Sequence, residues 1–195
     1  YYKNSPTLIL GSIIPSDYPV IFSGLKKYYP NGGQSLDEKD QYIIIVPHEI
    51  NNHTINKIEY YLDRCGLKWS LFSKNTKNQN CRVLIVDKIG ILAELYYYSD
   101  IAYIGAGFGD GVHSVIEPIA YENVVSFGPN YHIVDMAIKL NNMGLAHIVK
   151  TGDDFCKFLD LLTNKSKLEN IKRDIKKFLS SFNPVAHTIK QSIFP

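Results

Sequence analysis

The sequence predicts an α/β domain built on a doubly wound parallel sheet, and three observations carry the prediction. Apolar runs recur without polar alternation at residues 7–10, 42–46, 82–86, 101–104, 124–127 and 145–149. Such runs suit parallel strands covered by helices on both faces. The segments between them show helical spacing, as at Ile55, Ile58, Tyr61 and Leu62. Turn residues then punctuate the changes, at Gly11-Ser12, Pro30-Asn31-Gly32-Gly33, Gly66 and Gly128-Pro129-Asn130.

Each element follows from its neighbours. The first run ends at Gly11-Ser12, read as a tight turn, and Pro15, Ser16 and Asp17 start a helix toward Tyr29. A polar loop is expected up to Asp40, a buried strand over 42–46, and a helix over 51–64 stopped by Gly66. A short strand at 67–72 and a wholly polar loop at 74–80 precede the run at 82–86. Helices are expected at 89–98, 113–121 and 134–143, with strands between them, and two more over 152–179. The result is a Rossmann-like sheet over residues 1–180, with residues 181–195 as a tail. Ligands of such sheets sit at the carboxyl ends of the strands. That draws notice to the turns at Gly11-Ser12, Pro47-His48-Glu49, 87–90, 105–113 and 128–131.

Composition narrows the function. Hydrophobic residues make up 45% and charged residues 21%, as in ordinary globular domains. A net charge of +2 is too small to argue for nucleic acid, and no partner of that kind is expected. Lys165, Lys167, Lys172, Arg173, Lys176 and Lys177 cluster at helical spacing, which reads as a solvated face. Three cysteines without a Cys-x-x-Cys pair argue against a disulfide framework or a zinc site. No apolar run is long enough to span a membrane. The chain begins Tyr1-Tyr2 without Met and enters a strand by Thr7, so a piece of a longer protein is expected.

The stretch Ile104-Gly105-Ala106-Gly107-Phe108-Gly109-Asp110-Gly111-Val112-His113 sets glycines at alternate positions after a strand. The dinucleotide spacing Gly-x-Gly-x-x-Gly fails, because the third position falls on Asp110, Val112 or Ser114. No P-loop Gly-Lys-Ser or Gly-Lys-Thr occurs. What remains is a turn free of side chains before a helix, where backbone N–H groups can receive an anion. A tight turn with close backbone packing is the plainer alternative. On the expected helix, His113 and Glu117 lie four apart on one face. A carboxylate there can accept two hydrogen bonds from vicinal ribose hydroxyls, and the histidine can donate to a phosphate or a sugar acid. For Glu117 the alternative is simple pairing with a helix dipole.

These residues, in this order, resemble the GT-B glycosyltransferases, and more closely the C-terminal domain of the 3-deoxy-D-manno-octulosonate (Kdo) transferases. The resemblance covers residues 8–150 and rests on several motifs together. They are Gly11-Ser12 with Asp17; Pro47-His48-Glu49; Val86-Asp87-Lys88-Ile89-Gly90; Leu95-Tyr96; and Ser99-Asp100-Ile101-Ala102-Tyr103-Ile104-Gly105. Gly111-Val112-His113-Ser114-Val115-Ile116-Glu117-Pro118 and Phe127-Gly128-Pro129-Asn130-Tyr131 complete the set. Ser114 stands where the family usually has Asn, Ile91 where many members have Glu, and Lys88 where Thr is common.

The resemblance implies the donor-binding half of a GT-B fold with CMP-Kdo as donor substrate and no cofactor or metal. It implies donor contacts from Ser12, His48, Glu49, Lys88, Ile89, Gly90, Gly107, Gly109, Gly111, His113, Ser114 and Glu117. The turn at Lys88-Ile89-Gly90 would hold cytosine, Glu117 the ribose, and Ser12 would lie near the phosphate or Kdo. The catalytic base and the acceptor site, for a lipid A precursor, would lie in an N-terminal domain to which the tail can cross. The isolated chain is therefore expected to be inactive, with no catalytic residue of its own. The full enzyme would be peripheral to the cytoplasmic face of the bacterial inner membrane, in lipopolysaccharide biosynthesis. Alternatives are the donor half of a UDP-sugar transferase or epimerase, and a nucleotide-binding module that is not an enzyme.

Overall fold

In the computed structural model, residues 5–74 and 81–181 are described. Loop residues 75–80 and the expected tail from residue 182 lie outside them. Among the described residues the six apolar runs and the short strand expected at 67–72 become seven strands: β1 (Thr7–Ile13), β2 (Tyr42–Pro47), β3 (Trp69–Leu71), β4 (Val83–Ile85), β5 (Ile101–Ile104), β6 (Val124–Phe127) and β7 (Ala146–Ile148). They form one parallel sheet in the order β3-β4-β2-β1-β5-β6-β7. The chain winds outward from β1 on one side, then returns to pair β5 on the other, so direction reverses between β1 and β5. This is the doubly wound sheet that the sequence predicts.

Burial explains the centre. Leu8, Ile9 and Leu10 of β1 have no exposed surface, and neither have Ile43 and Ile45 of β2 or Ile101, Ala102 and Tyr103 of β5. Burying each large aliphatic side chain contributes about 1.5–3 kcal/mol, which is why these runs take the middle of the sheet. The helices are α1 (Tyr18–Tyr28), α2 (Gly33–Glu38), α3 (Asn52–Arg64), α4 (Leu92–Leu95), α5 (Ile116–Ala120), α6 (Asp135–Asn142), α7 (Gly152–Leu159) and α8 (Lys165–Ser180).

Four expectations are corrected. Gly11-Ser12 is not a turn: β1 continues to Ile13, with Gly11 paired to Val46 and Ile104, and Ser12 forms a bulge at φ 54°. The loop before Asp40 contains α2, anchored by buried Leu36 and tied through Gly33 N–H to Gly66 O at 2.9 Å. The helix expected over 89–98 is a single turn, α4, tightening to a 3-10 turn at Tyr96–Tyr98 as Tyr96 enters the core. The helix expected from His113 starts at Ile116; the residues before it form a turn in which the N–H groups of Val112 and His113 donate to Asn130 O and Gly105 O.

The last helices close the fold. Thr151 and Asp154 form a reciprocal capping box at the start of α7. Phe155 of α7 is fully buried and meets the Tyr103 ring edge-on at 5.7 Å. The whole basic cluster lies on α8, but Lys172 is not simply solvated. Its Nζ meets Asp100 Oδ1 at 2.6 Å, and Asp100 Oδ2 accepts from Thr7 N–H at 3.0 Å. Lys176 and Lys177 pair with Glu122 and Asp174. Because Phe155 joins α7 to β5, Phe155→Ala is expected to cost about 3–5 kcal/mol of stability. Urea unfolding followed by circular dichroism checks this through a lower midpoint.

Candidate functional site

The site forms where winding reverses, at the carboxyl ends of β1, β2 and β5. Ser12, in its bulge, places Oγ 2.9 Å from His48 Nδ1. His48 follows β2 directly, and its N–H donates to Ile13 O at 3.0 Å. The His113 ring stacks on the His48 ring, with centroids 4.5 Å apart and planes inclined by 15°. Ser12, His48 and His113, predicted from three separated motifs, thus stand together. His113 lies in the turn before α5, so it does not share a helical face with Glu117, as the sequence suggested.

The glycine turn is built by backbone contact. A Cβ on Gly105 would lie 2.2 Å from Ser12 O, and one on Gly107 would lie 2.4 Å from Gly128 N. No side chain fits either place. Two of the four glycines are therefore explained by packing against β1 and against the turn after β6, not by a ligand. This is the tight turn with close backbone packing that the sequence offered as the plainer alternative. Asn130 holds the same turn: its N–H donates to Gly107 O at 2.9 Å, and its Nδ2 to Gly109 O at 2.8 Å. Gly109 packs beside Ile14, and Gly111 faces Ile133.

The other predicted residues stand exposed on the same edge of the sheet. Glu49 is reached by Asn51 Nδ2 at 3.4 Å, and Asn51 itself caps α3 through Thr54 N–H. Lys88, Ile89 and Gly90 form the turn after β4; Ile89 is 82% exposed and Gly90 has a φ of 85°. Ser114 and Glu117 are exposed at the start of α5. Among the described residues no hydrogen bond joins these groups to the histidine pair. A hollow of about 160 Å³ between α1 and α3, lined by Phe22, Tyr61 and Arg64, contains none of the predicted residues. No three His, Cys, Asp or Glu side chains among the described residues are grouped to hold a metal ion.

The structure adds groups that the sequence did not single out. Asp17 is fully buried under the glycine turn, where burial raises its pKa and its hydrogen-bond donors oppose the rise. Tyr96 sits beneath Gly11, held by Asn123 Nδ2, which donates to its carbonyl at 2.8 Å. Burial pushes the Tyr96 hydroxyl pKa up, and the Glu117 charge adds to the rise. Tyr18 buries its hydroxyl without a partner, and its pKa is pushed up to about 12 by burial, then by Asp17 and Glu49. Tyr96 was visible in the sequence only as part of a quoted motif, and Asp17 as part of one and as a helix start signal.

His113 carries a buried Nε2 without a hydrogen-bond partner. Burial lowers its pKa, His48 lowers it further, and Asp17 pulls it back up. His147 in β7 is also lowered, by burial and then by Lys167. Both imidazoles therefore take up protons more readily in the unfolded chain. Their contribution to stability is complete above about pH 6.5 and is lost as pH falls toward the folded-state values. The melting temperature should drop between about pH 7.5 and about pH 5.5, and the drop should be smaller in His113→Asn. Scanning calorimetry at both values reads this.

No protein-family model matches the chain. Among curated proteins, the 3-deoxy-D-manno-octulosonic acid transferase of Aquifex aeolicus is 32% identical over 174 residues, covering 87% of this chain and 43% of that protein. The enzyme of the same name from Chlamydia muridarum is 30% identical over 135 residues, covering 67% of this chain and 29% of that protein. The chain spans less than half the length of these relatives. Among solved structures, the C-terminal CMP-Kdo binding domain of WaaA from Acinetobacter baumannii matches with a TM-score of 0.75 at 18% identity. The match covers 92% of this chain and 91% of that one, a likeness of fold. The chain belongs to the 3-deoxy-D-manno-octulosonic acid transferase family and has the fold of one half of a GT-B glycosyltransferase.

Proposed function

We propose that the chain is the donor-binding half of a Kdo transferase and takes CMP-Kdo at the carboxyl edge of its sheet. The observation that carries the reading is the meeting of Ser12, His48 and His113 at the switch point. A donor of this kind brings two anionic groups, a phosphodiester and a sugar carboxylate. Imidazoles and backbone N–H groups can meet both without a metal. His48 and His113 take the anionic part with N–H groups of the 107–114 turn other than those of Gly109, Val112 and His113, which donate to carbonyls, and Ser12 lies beside it. Glu117, exposed on α5, accepts from the ribose hydroxyls. The turn at Lys88-Ile89-Gly90 receives the cytosine through its backbone groups, and the exposed Ile89 side chain offers apolar surface to the base. Glu49 and Ser114 border the same edge.

CMP leaves with added negative charge as the bond to the sugar breaks, and the same histidines and N–H groups offset it. The hydroxyl of a lipid A precursor attacks the anomeric carbon and inverts it. The base that takes its proton comes from a second domain, as the likeness to a family of longer proteins suggests. The chain alone binds donor and does not transfer it. Among the described residues no helix is long and apolar enough to cross a membrane. The reading sets the whole enzyme peripherally at the cytoplasmic face of the inner membrane, where its acceptor lies.

Calorimetric titration tests the donor site. CMP should bind saturably and UMP more weakly. Glu117→Ala should weaken CMP by about tenfold or more, the loss expected for hydrogen bonds to a charged group. Preference for UMP would indicate a uridine-diphosphate sugar instead. A second assay mixes the chain with CMP-Kdo and lipid A precursor. No product is expected, and turnover would overturn the reading of the chain as a half-enzyme.

A further inference from the structure

Asp17 precedes α1 directly, where a carboxylate commonly caps the helix, yet its side chain makes no capping bond there. It turns toward the sheet instead. Oδ2 accepts from Ile14 N–H at 2.9 Å and from Ala106 N–H at 2.9 Å, and Oδ1 accepts from the Tyr103 hydroxyl at 3.0 Å. The donors come from the turn after β1, from the glycine turn and from β5. All three give a hydrogen to Asp17, and Phe108 N–H of the same glycine turn adds to them, an arrangement suited to an ionised carboxylate. Ala106 sits between Gly105 and Gly107 at φ 71°, an uncommon conformation for a residue with a side chain. Its bond to Asp17 holds it there.

We infer that Asp17 is a positioning residue of the donor site: through Ala106 it fixes the glycine turn, to which His113 is tied by its N–H bond to Gly105 O. The inference rests on reading this edge as the donor site. Two titratable groups act on His113 through their charge. His48 comes from the end of β2 and stacks on it, and Asp17 comes from the start of α1. Tyr103 of β5 faces Asp17 in turn. Burial and His48 disfavour a proton on His113, and Asp17 favours one. An anionic donor meeting the histidine pair gains from that proton. Asp17 therefore acts on a donor that it does not touch.

Asp17→Asn separates charge from shape. The amide oxygen can still receive the Ile14 and Ala106 N–H groups, and the amide nitrogen can face Tyr103, whose hydroxyl turns to accept. Ring-proton NMR of the histidines across pH, on the whole chain without ligand, reads the first effect, with His113→Asn supplying the assignment. The His113 midpoint should fall by roughly half a unit or more in a folded D17N. An unmoved midpoint overturns the inference. Calorimetry with CMP reads the second effect. D17N should bind CMP about tenfold more weakly, and the loss should grow as pH rises through the midpoint. A loss that is uniform across pH would mean a merely structural role and overturn the inference. If D17N fails to fold, Tyr103→Phe replaces it. That variant keeps the charge and removes a donor that offsets it, so the His113 midpoint should rise, and no change overturns the inference. Absence of CMP binding in the wild-type chain would sink the donor reading alone, because the NMR shift needs no ligand.

Discussion

The pairing of β1 with β5 is the constraint on which the rest depends. β1 is hydrogen-bonded along both edges and buried on both faces, so its register with each neighbour decides where every loop leaves the sheet. In that register Gly11 pairs with Ile104, and Gly105 N–H donates to Gly11 O at 2.9 Å. The glycine turn then emerges directly over Ser12. A slip of one residue would move Gly105 off Ser12 and bring a Cβ against that backbone. The site is thus a result of sheet register first and of side-chain chemistry second.

Much of the fold was legible because its strands are nearly continuous apolar runs. Burial on both faces requires such runs, and they need no partner to be recognised. The edge strand β3 was readable for length only roughly, since all three of its residues are half-buried. Helix α2 was not legible: one apolar anchor, Leu36, gives no periodicity to detect. The late start of α5 was hidden for another reason. The spacing of His113 and Glu117 suits a helix, but the preceding N–H groups are taken by carbonyls on other turns. No local pattern reports such a long-range bond.

The site was legible in its residue types and less so in its arrangement. His48 and His113 are 65 positions apart, and only a parallel sheet with this strand order brings their rings face to face. The glycines stayed open between two readings because the sequence cannot distinguish a glycine that meets a ligand from one that meets another backbone. Asp17 looked like a helix start signal, and it does precede α1. Its use as a buried acceptor for three separate segments depends on β5 and the glycine turn arriving above it.

The crossing of Gly107 and Gly128 bears on how this scaffold can be altered. The two turns touch backbone to backbone, and Asn130 stitches them with further bonds. They form one mechanical part although about twenty residues separate them in the chain. Loop grafting that replaces the turn after β5 alone would leave its partner with the wrong shape. A transplant intended to change the ligand would have to carry both turns and the register between β5 and β6 as a single cassette.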